Sequence, residues 1–189
     1  MLYEICKTLC FLTLKLFCKI EVKGRELFPK KGPFILASNH ISNLDPVIVG
    51  MLCPRQLYYL AKEELFKNKL FGWLLTNINV LPLRRGHGDL RVLRTAIKIL
   101  SKKPLVIFPQ GTRSESYDNF KSGVGFLYKK TKAPVFIAKI YGSDKVLPKG
   151  ASCLKPGKIK VIYAKIENIN DSDSYEAIAA RIIEKIKSL

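Results

Sequence analysis

Residues 33–46 read PFILASNHISNLDP. The first six, PFILAS, form a short apolar run opened by a proline and closed by serine, which reads as a strand. The last two place Asp45 directly before Pro46, the pattern of a capping acid followed by a first-turn proline. The stretch is therefore a strand, a tight turn and a helix start. His40 and Asp45 bracket the turn, and a turn of this kind brings positions five apart into hydrogen-bond reach.

Outward from this unit the same alternation repeats. Residues 56–61, 78–83, 104–109, 134–141 and 158–166 read as strands. Residues 46–52, 65–75, 89–101, 120–131 and 174–188 read as helices. The last helix has Asp171, Asp173 and Glu176 at its start and Lys185 and Lys187 at its end, as the helix dipole favours. Strand–helix alternation predicts an α/β fold: a single domain with a mostly parallel or mixed central sheet flanked by helices. Ligands in such sheets bind beyond the carboxyl ends of strands.

The chain has 189 residues, 48% of them apolar, enough for one domain with a sizeable core and short for two. No fixed repeat and no low-complexity linker divides it. Lys plus Arg number 33 against 15 Asp plus Glu, a formal charge of +18. That excess favours an anionic partner: nucleic acid, an anionic membrane or a phosphorylated substrate. No nucleic-acid motif and no regular aromatic–basic interleaving accompanies it, so nucleic acid is not expected as a partner. Five cysteines at 6, 10, 18, 53 and 153 include no C-x-x-C pair. A disulfide framework or a zinc site is not expected, and a cytosol-facing location is.

Residues 1–20, MLYEICKTLCFLTLKLFCKI, are long enough to span a bilayer as a helix, but Lys7 and Lys15 lie within them. Each lysine near the centre of a spanning helix costs about 3 kcal/mol. On a helical wheel Glu4, Lys7, Lys15 and Lys19 share one arc and the rest is almost wholly apolar. Such a helix lies in a membrane interface or packs on the domain, and a wide apolar face serves both. No small-residue cleavage site follows, against a signal peptide. The expected organisation is an N-terminal interface helix at 1–20 and a catalytic domain at 21–189, held to the cytoplasmic face of the cell membrane.

An imidazole beside a carboxylate is the constellation of general-base catalysis. A free imidazole titrates near neutrality, and a carboxylate on one ring nitrogen fixes the tautomer and stabilises the imidazolium that forms. No G-x-S-x-G serine is present, and the substrate's own hydroxyl can serve as the nucleophile instead. By spacing alone, a satisfied histidine and a helix-capping aspartate are the commoner occupants of such a pair. After the strand at 104–109 comes Gln110-Gly111-Thr112-Arg113-Ser114. A glycine there lets backbone N–H groups approach an anion, and an arginine grips phosphate through two parallel bonds. Lys62 and Arg84-Arg85-Gly86 also follow strands.

Taken in order, these segments resemble the phospholipid and glycerol acyltransferase family, most closely its 1-acylglycerol-3-phosphate acyltransferases. NHISNLDP at 39–46 looks like the family's N-H-x-S-x-x-D block, and AKEEL at 61–65 its A-K-x-E-L segment. PLRRG at 82–86 is similar to the block ending in Arg-Gly, and FPQGTRS at 108–114, followed by Lys121-Ser122-Gly123, to F-P-E-G-T-R-S. The weaker APV at 133–135 closes the series. The ordered set reverses the commoner reading of His40. The resemblance implies a metal-free α/β enzyme working at the membrane. It implies His40 as base and Asp45 as its partner. Lys62, Arg85, Gly111, Thr112 and Arg113 are implied binders of the acceptor's phosphate, with Asn39 and Gln110 binding substrate or supporting the site. The implied acceptor is the lysophospholipid 1-acylglycerol-3-phosphate, giving phosphatidate. Glycerol 3-phosphate, another lysophospholipid or a lipid A-type precursor are alternative acceptors, and a non-enzymatic basic membrane- or nucleic-acid-binding module is the less favoured reading. The implied co-substrate is acyl-CoA or acyl carrier protein, and no further cofactor is expected. Two departures stand out: Gln110 where the family usually has Glu, and Arg84 where an acidic residue is common. If that Glu acts through its negative charge, activity suffers here; if it acts by accepting hydrogen bonds, the favoured reading, the Gln110 carbonyl oxygen substitutes for it.

Overall fold

The structure, a computed structural model, describes residues 1–83, 89–114, 116–117 and 120–189. Its centre is the strand read first. In β2 (Ile35–Ser38) all four residues are buried, because both faces of the strand are covered. Ile35 and Ala37 point into one core, Leu36 and the preceding Phe34 into the other. β5 (Leu105–Ile107) pairs parallel on one side of β2 and β6 (Val135–Tyr141) parallel on the other. β7 (Gly157–Ile166) runs antiparallel to β6, and β1 (Cys18–Lys23) parallel to β7. Beyond β5, the Tyr58 N–H donates to the Pro104 carbonyl at 3.0 Å and the Tyr58 carbonyl accepts from Val106 at 2.9 Å. That bridge attaches a parallel pair, β3 (Tyr59–Lys62) and β4 (Val80–Leu83). The sheet is mixed, with its antiparallel pairing confined to β6–β7.

Helices cover both faces. On one lie α1 (Leu2–Phe17), α2 (Asp45–Leu52) and α3 (Lys69–Asn77). On the other lie α4 (Asp89–Leu100), α5 (Gly123–Thr131) and α7 (Tyr175–Ser188); the short α6 (Ser143–Val146) follows β6. α7 shows why these segments are helical. Ile178, Ile182 and Ile186 recur every four residues and are buried to within 1%, each contributing about 1.5–3 kcal/mol. The Ser174 hydroxyl oxygen caps the helix by accepting the Ala177 N–H at 3.1 Å.

Three expectations are corrected. The N-terminal helix ends at Phe17 rather than at residue 20, and Cys18 turns to extended backbone. The residues after it alternate charged and apolar, Lys19-Ile20-Glu21-Val22-Lys23, so they follow the period of a strand and pair with β7. The helix expected at 65–75 is split: a 3-10 turn occupies Glu63–Phe66, and Asn68 then caps α3 by accepting the Phe71 N–H at 3.0 Å. Asp45 is not the cap of α2 but its first residue, with Leu44 at the cap position.

α1 packs on the domain and still presents an apolar face outward. Tyr3 and Leu14 are buried, and the Tyr3 hydroxyl oxygen accepts the Leu57 N–H at 3.1 Å. Glu4 and Lys7, from the polar arc of the wheel, turn toward the protein: Gln56 donates to Glu4, and Lys7 donates to the Cys53 carbonyl at 2.7 Å. Ile5, Leu9, Leu12 and Leu16 are exposed along one stripe. Among the described residues no helix is long and apolar enough to cross a membrane.

Candidate active site

The carboxyl ends of β2, β3, β4, β5 and β6 share one rim, because these strands run in one direction. His40 follows β2, the loop with Gln110 and Gly111 follows β5, and Ser143 follows β6. Lys62 ends β3 on the same rim and is exposed; its side chain makes no hydrogen bond to either loop among the described residues. Arg84 and Arg85 lie outside the described residues.

Asn39 ties the end of β2 to β6. Its Oδ1 accepts the Ile140 N–H at 2.7 Å and its Nδ2 donates to the Ile140 carbonyl at 2.8 Å, both buried. Both polar atoms of the Asn39 side chain are thus engaged by the backbone of β6. The turn beyond it wraps around Asp45, whose side chain is fully buried. Oδ2 accepts the Ile41 N–H at 2.6 Å and the Ser42 N–H at 2.7 Å, and lies 2.9 Å from His40 Nδ1. Oδ1 accepts the Ser143 hydroxyl at 2.6 Å. A buried carboxylate needs such donors. Because a carboxylate only accepts, Nδ1 carries the proton and Nε2 of neutral His40 keeps the lone pair. The ring rests on Phe108, with centroids 4.4 Å apart, and its side chain is 19% exposed.

Gln110 joins this turn to the loop after β5. Its Oε1 accepts the His40 N–H at 2.6 Å, and its Nε2 donates to the carbonyls of Ser114 at 2.5 Å and Ser116 at 3.2 Å. The Ser114 N–H returns to the His40 carbonyl at 2.9 Å. The His40 backbone is therefore held on both sides by the loop that carries Gly111, Thr112 and Arg113. Gly111 has φ +69° and donates its N–H to the Phe108 carbonyl at 2.9 Å. A Cβ there would lie 3.2 Å from Lys121 Cε, so glycine suits both the backbone angle and the lysine laid over it. Thr112 and Arg113 are exposed beside it. The assembly offers a proton acceptor at Nε2 next to a loop with hydroxyl and guanidinium donors.

Ser143 has no signal in the sequence. It comes to Asp45 from 98 residues away, turned by Gly142 at φ +80°. Phe108 and Lys121 belong to the quoted blocks, but their places beside His40 and Gly111 follow only from the fold.

A family model described as acyltransferase matches residues 19–140, more than half of the chain, and the chain belongs to that family of enzymes. The 1-acyl-sn-glycerol-3-phosphate acyltransferase of Bacillus subtilis is 29% identical over 196 residues, spanning 100% of this chain and 96% of that one. A chloroplastic enzyme of the same name from Brassica napus is 31% identical over 79% of this chain, which spans 45% of its length. A lyso-ornithine lipid O-acyltransferase of Pseudomonas aeruginosa is 38% identical over 43% of this chain, matching 32% of its own length. The crystal structure of the acyltransferase PlsC from Thermotoga maritima shares the fold, with a TM-score of 0.79 over 99% of this chain and 79% of that one, at 23% identity.

Proposed function

We propose that this protein transfers a fatty acyl group from acyl-CoA or acyl carrier protein to the free hydroxyl of 1-acyl-sn-glycerol 3-phosphate. One observation carries the reading. His40 is anchored by Asp45 at 2.9 Å and bound through its own N–H and carbonyl to the loop that carries Arg113. A base and a phosphate-binding loop joined in this way hold an alcohol and its phosphate in a set relation. Nε2 of His40 takes the hydroxyl proton as the oxygen attacks the thioester carbonyl. The tetrahedral oxyanion collapses, the C–S bond breaks, and the imidazolium returns the proton to the leaving sulfur as thiol. Arg113, Thr112 and backbone N–H groups near Gly111 bind the acceptor phosphate, with Lys62, on the same rim, and Arg85 as further cations. The purified protein, given lysophosphatidate and acyl-CoA or acyl carrier protein, should release free thiol and form phosphatidate in equal amounts. Thiol release with glycerol 3-phosphate or a lyso-ornithine lipid, and none with lysophosphatidate, would move the acceptor elsewhere.

The same reading places the enzyme on the cytoplasmic face of an anionic membrane. α1 and α3 cover one face of the sheet, and both expose apolar side chains there: Leu9 at 63% and Leu16 at 83% on α1, Leu70 at 78% and Trp73 at 59% on α3. A patch of this kind marks a lipid or protein contact, and the +18 charge favours anionic lipid. Replacing Leu9 and Leu12 together by Gln removes apolar surface without adding charge. Partition into phosphatidylglycerol vesicles, read by co-sedimentation, should fall at least about tenfold, on the order of the transfer energy of two leucines. Unchanged sedimentation would exclude α1 as the contact.

A further inference from the structure

We propose that Phe108 is a positioning residue for the base: its ring face, laid against the imidazole, stabilises the imidazolium that His40 becomes when it takes a proton. The inference rests on the acyltransferase reading for its kinetic arm only.

The strand before Phe108 aims its ring. Along β5 the side chains alternate between faces, with Leu105 in the core shared by α5 and α7 and Val106 in the core shared by α2. Phe108 lies two positions beyond Val106 and packs against that same core, on the face where Asp45 opens α2. Its carbonyl accepts the Gly111 N–H at 2.9 Å, which fixes the backbone from which the ring projects. The His40 ring meets it with centroids 4.4 Å apart and planes tilted by 31°. Two flat rings at that separation and tilt touch through their faces. The face of a phenyl ring is its negative side, and a cation within about 6 Å of the centroid is attracted to it. Neutral imidazole gains only packing from the contact; imidazolium gains the attraction as well. With the His40 side chain only 19% exposed, water screens little of it. The contribution therefore arises as the proton is taken, where it lowers the barrier rather than tightening substrate binding. It is separate from that of Asp45, which meets the edge of the ring at Nδ1. Among the described residues the other charged groups on the elements around the ring are Arg113 and Lys121 beyond β5, Lys62 at the end of β3, and Asp144 and Lys145 on α6. All of them are kept when Phe108 alone is changed.

The experiment replaces Phe108 in two ways. Phe108→Leu keeps apolar cover over the imidazole, and with it the desolvation that disfavours charge, but removes the π face. A ring-fluorinated phenylalanine placed at the same position keeps the shape and withdraws charge from the ring face, so it tests the same point if the leucine variant folds poorly. The first measurement needs no substrate. The carbon-bound imidazole protons are followed by NMR from about pH 5 to about pH 9, a window that brackets imidazole titration. The chain has two histidines, and the signal missing from His40→Ala is that of His40. Its midpoint should lie about 0.5–1 pH unit lower in both variants than in wild type, on the order of a cation–π contact at a partly exposed site. The second measurement is kcat for acyl transfer, read as a ratio to wild type at each pH, which cancels the titration of substrate. The weaker base should lose about two- to tenfold at the alkaline end, the factor that its midpoint shift allows. The deficit should close toward the acid end, where the weaker base keeps more of its neutral form, and the acceptor KM should be unchanged. A ring displaced for want of packing would instead cost the same factor at every pH. That pattern, or a His40 midpoint unmoved or raised in either variant, would overturn the proposal. Absence of acyl transfer in wild type would defeat the functional reading and leave the titration to decide Phe108.

Discussion

Replacing His40 by alanine should lower kcat by about 10²–10⁴, the usual contribution of a positioned base, while the protein remains folded. The geometry separates the two outcomes. The contacts that hold the turn in place belong to the His40 backbone, which bonds to Gln110 and Ser114 whatever side chain is present. The imidazole itself touches Asp45 and Phe108 and is partly exposed. Its removal leaves Asp45 Oδ2 with two N–H donors and Oδ1 with the Ser143 hydroxyl. The carboxylate therefore stays paired, and the stability cost should stay within about 1 kcal/mol, as for substitutions that leave no buried polar group unsatisfied. The acceptor KM should change little, because Arg113 and Gly111 do not depend on the ring. Thiol release in a single turnover reads the chemical step directly. Release at the wild-type rate would remove His40 from the mechanism altogether.

The parts of this site that are local in sequence are legible there, and the parts assembled by strand order are not. His40 and Asp45 lie five apart across one turn, so the pair can be proposed from residues 33–46 alone. Even so, the sequence suggests the wrong geometry for Asp45. An acid before Pro46 looks like a helix cap facing forward, but its carboxylate faces back to the N–H groups of Ile41 and Ser42. For Gln110 the sequence points to the side-chain oxygen; the nitrogen carries two of its three bonds. Ser143 and the Asn39–Ile140 clamp join positions 98 and 101 apart. They exist because β6 lies beside β2, and no periodicity encodes which strands are neighbours. The six strands expected between residues 33 and 166 all form; most are short apolar runs between turn residues, and β7 alternates lysine with apolar and β-branched residues. β1 is hidden because Cys18 to Lys23 continues an apolar helical segment with only a change of period to mark the boundary.

Replacing Asp45 by asparagine should be the sharper test of how the pair works, because it removes a charge and keeps the shape. The N–H groups of Ile41 and Ser42 only donate, so they orient the new side chain with its carbonyl oxygen in the place of Oδ2. The amide nitrogen then replaces Oδ1 beside Ser143, whose hydroxyl can accept as well as donate. His40 Nδ1 still meets an acceptor, so ring orientation and tautomer are retained. What is lost is the attraction between the carboxylate and the imidazolium formed during proton transfer. At about 4 Å and an effective dielectric near 20 that attraction is about 4 kcal/mol, or about 10³ in kcat. Asp45→Ala would confuse the result, since it leaves two N–H groups and a hydroxyl buried without partners at about 1–3 kcal/mol each. Because the charge acts only through His40, its loss should cost nothing further once the ring is gone. In the double-mutant cycle, His40→Ala with Asp45→Asn should be no slower than His40→Ala alone. An additional loss in that background would mean that Asp45 also acts on substrate or loop directly, and the pair could no longer be treated as one base.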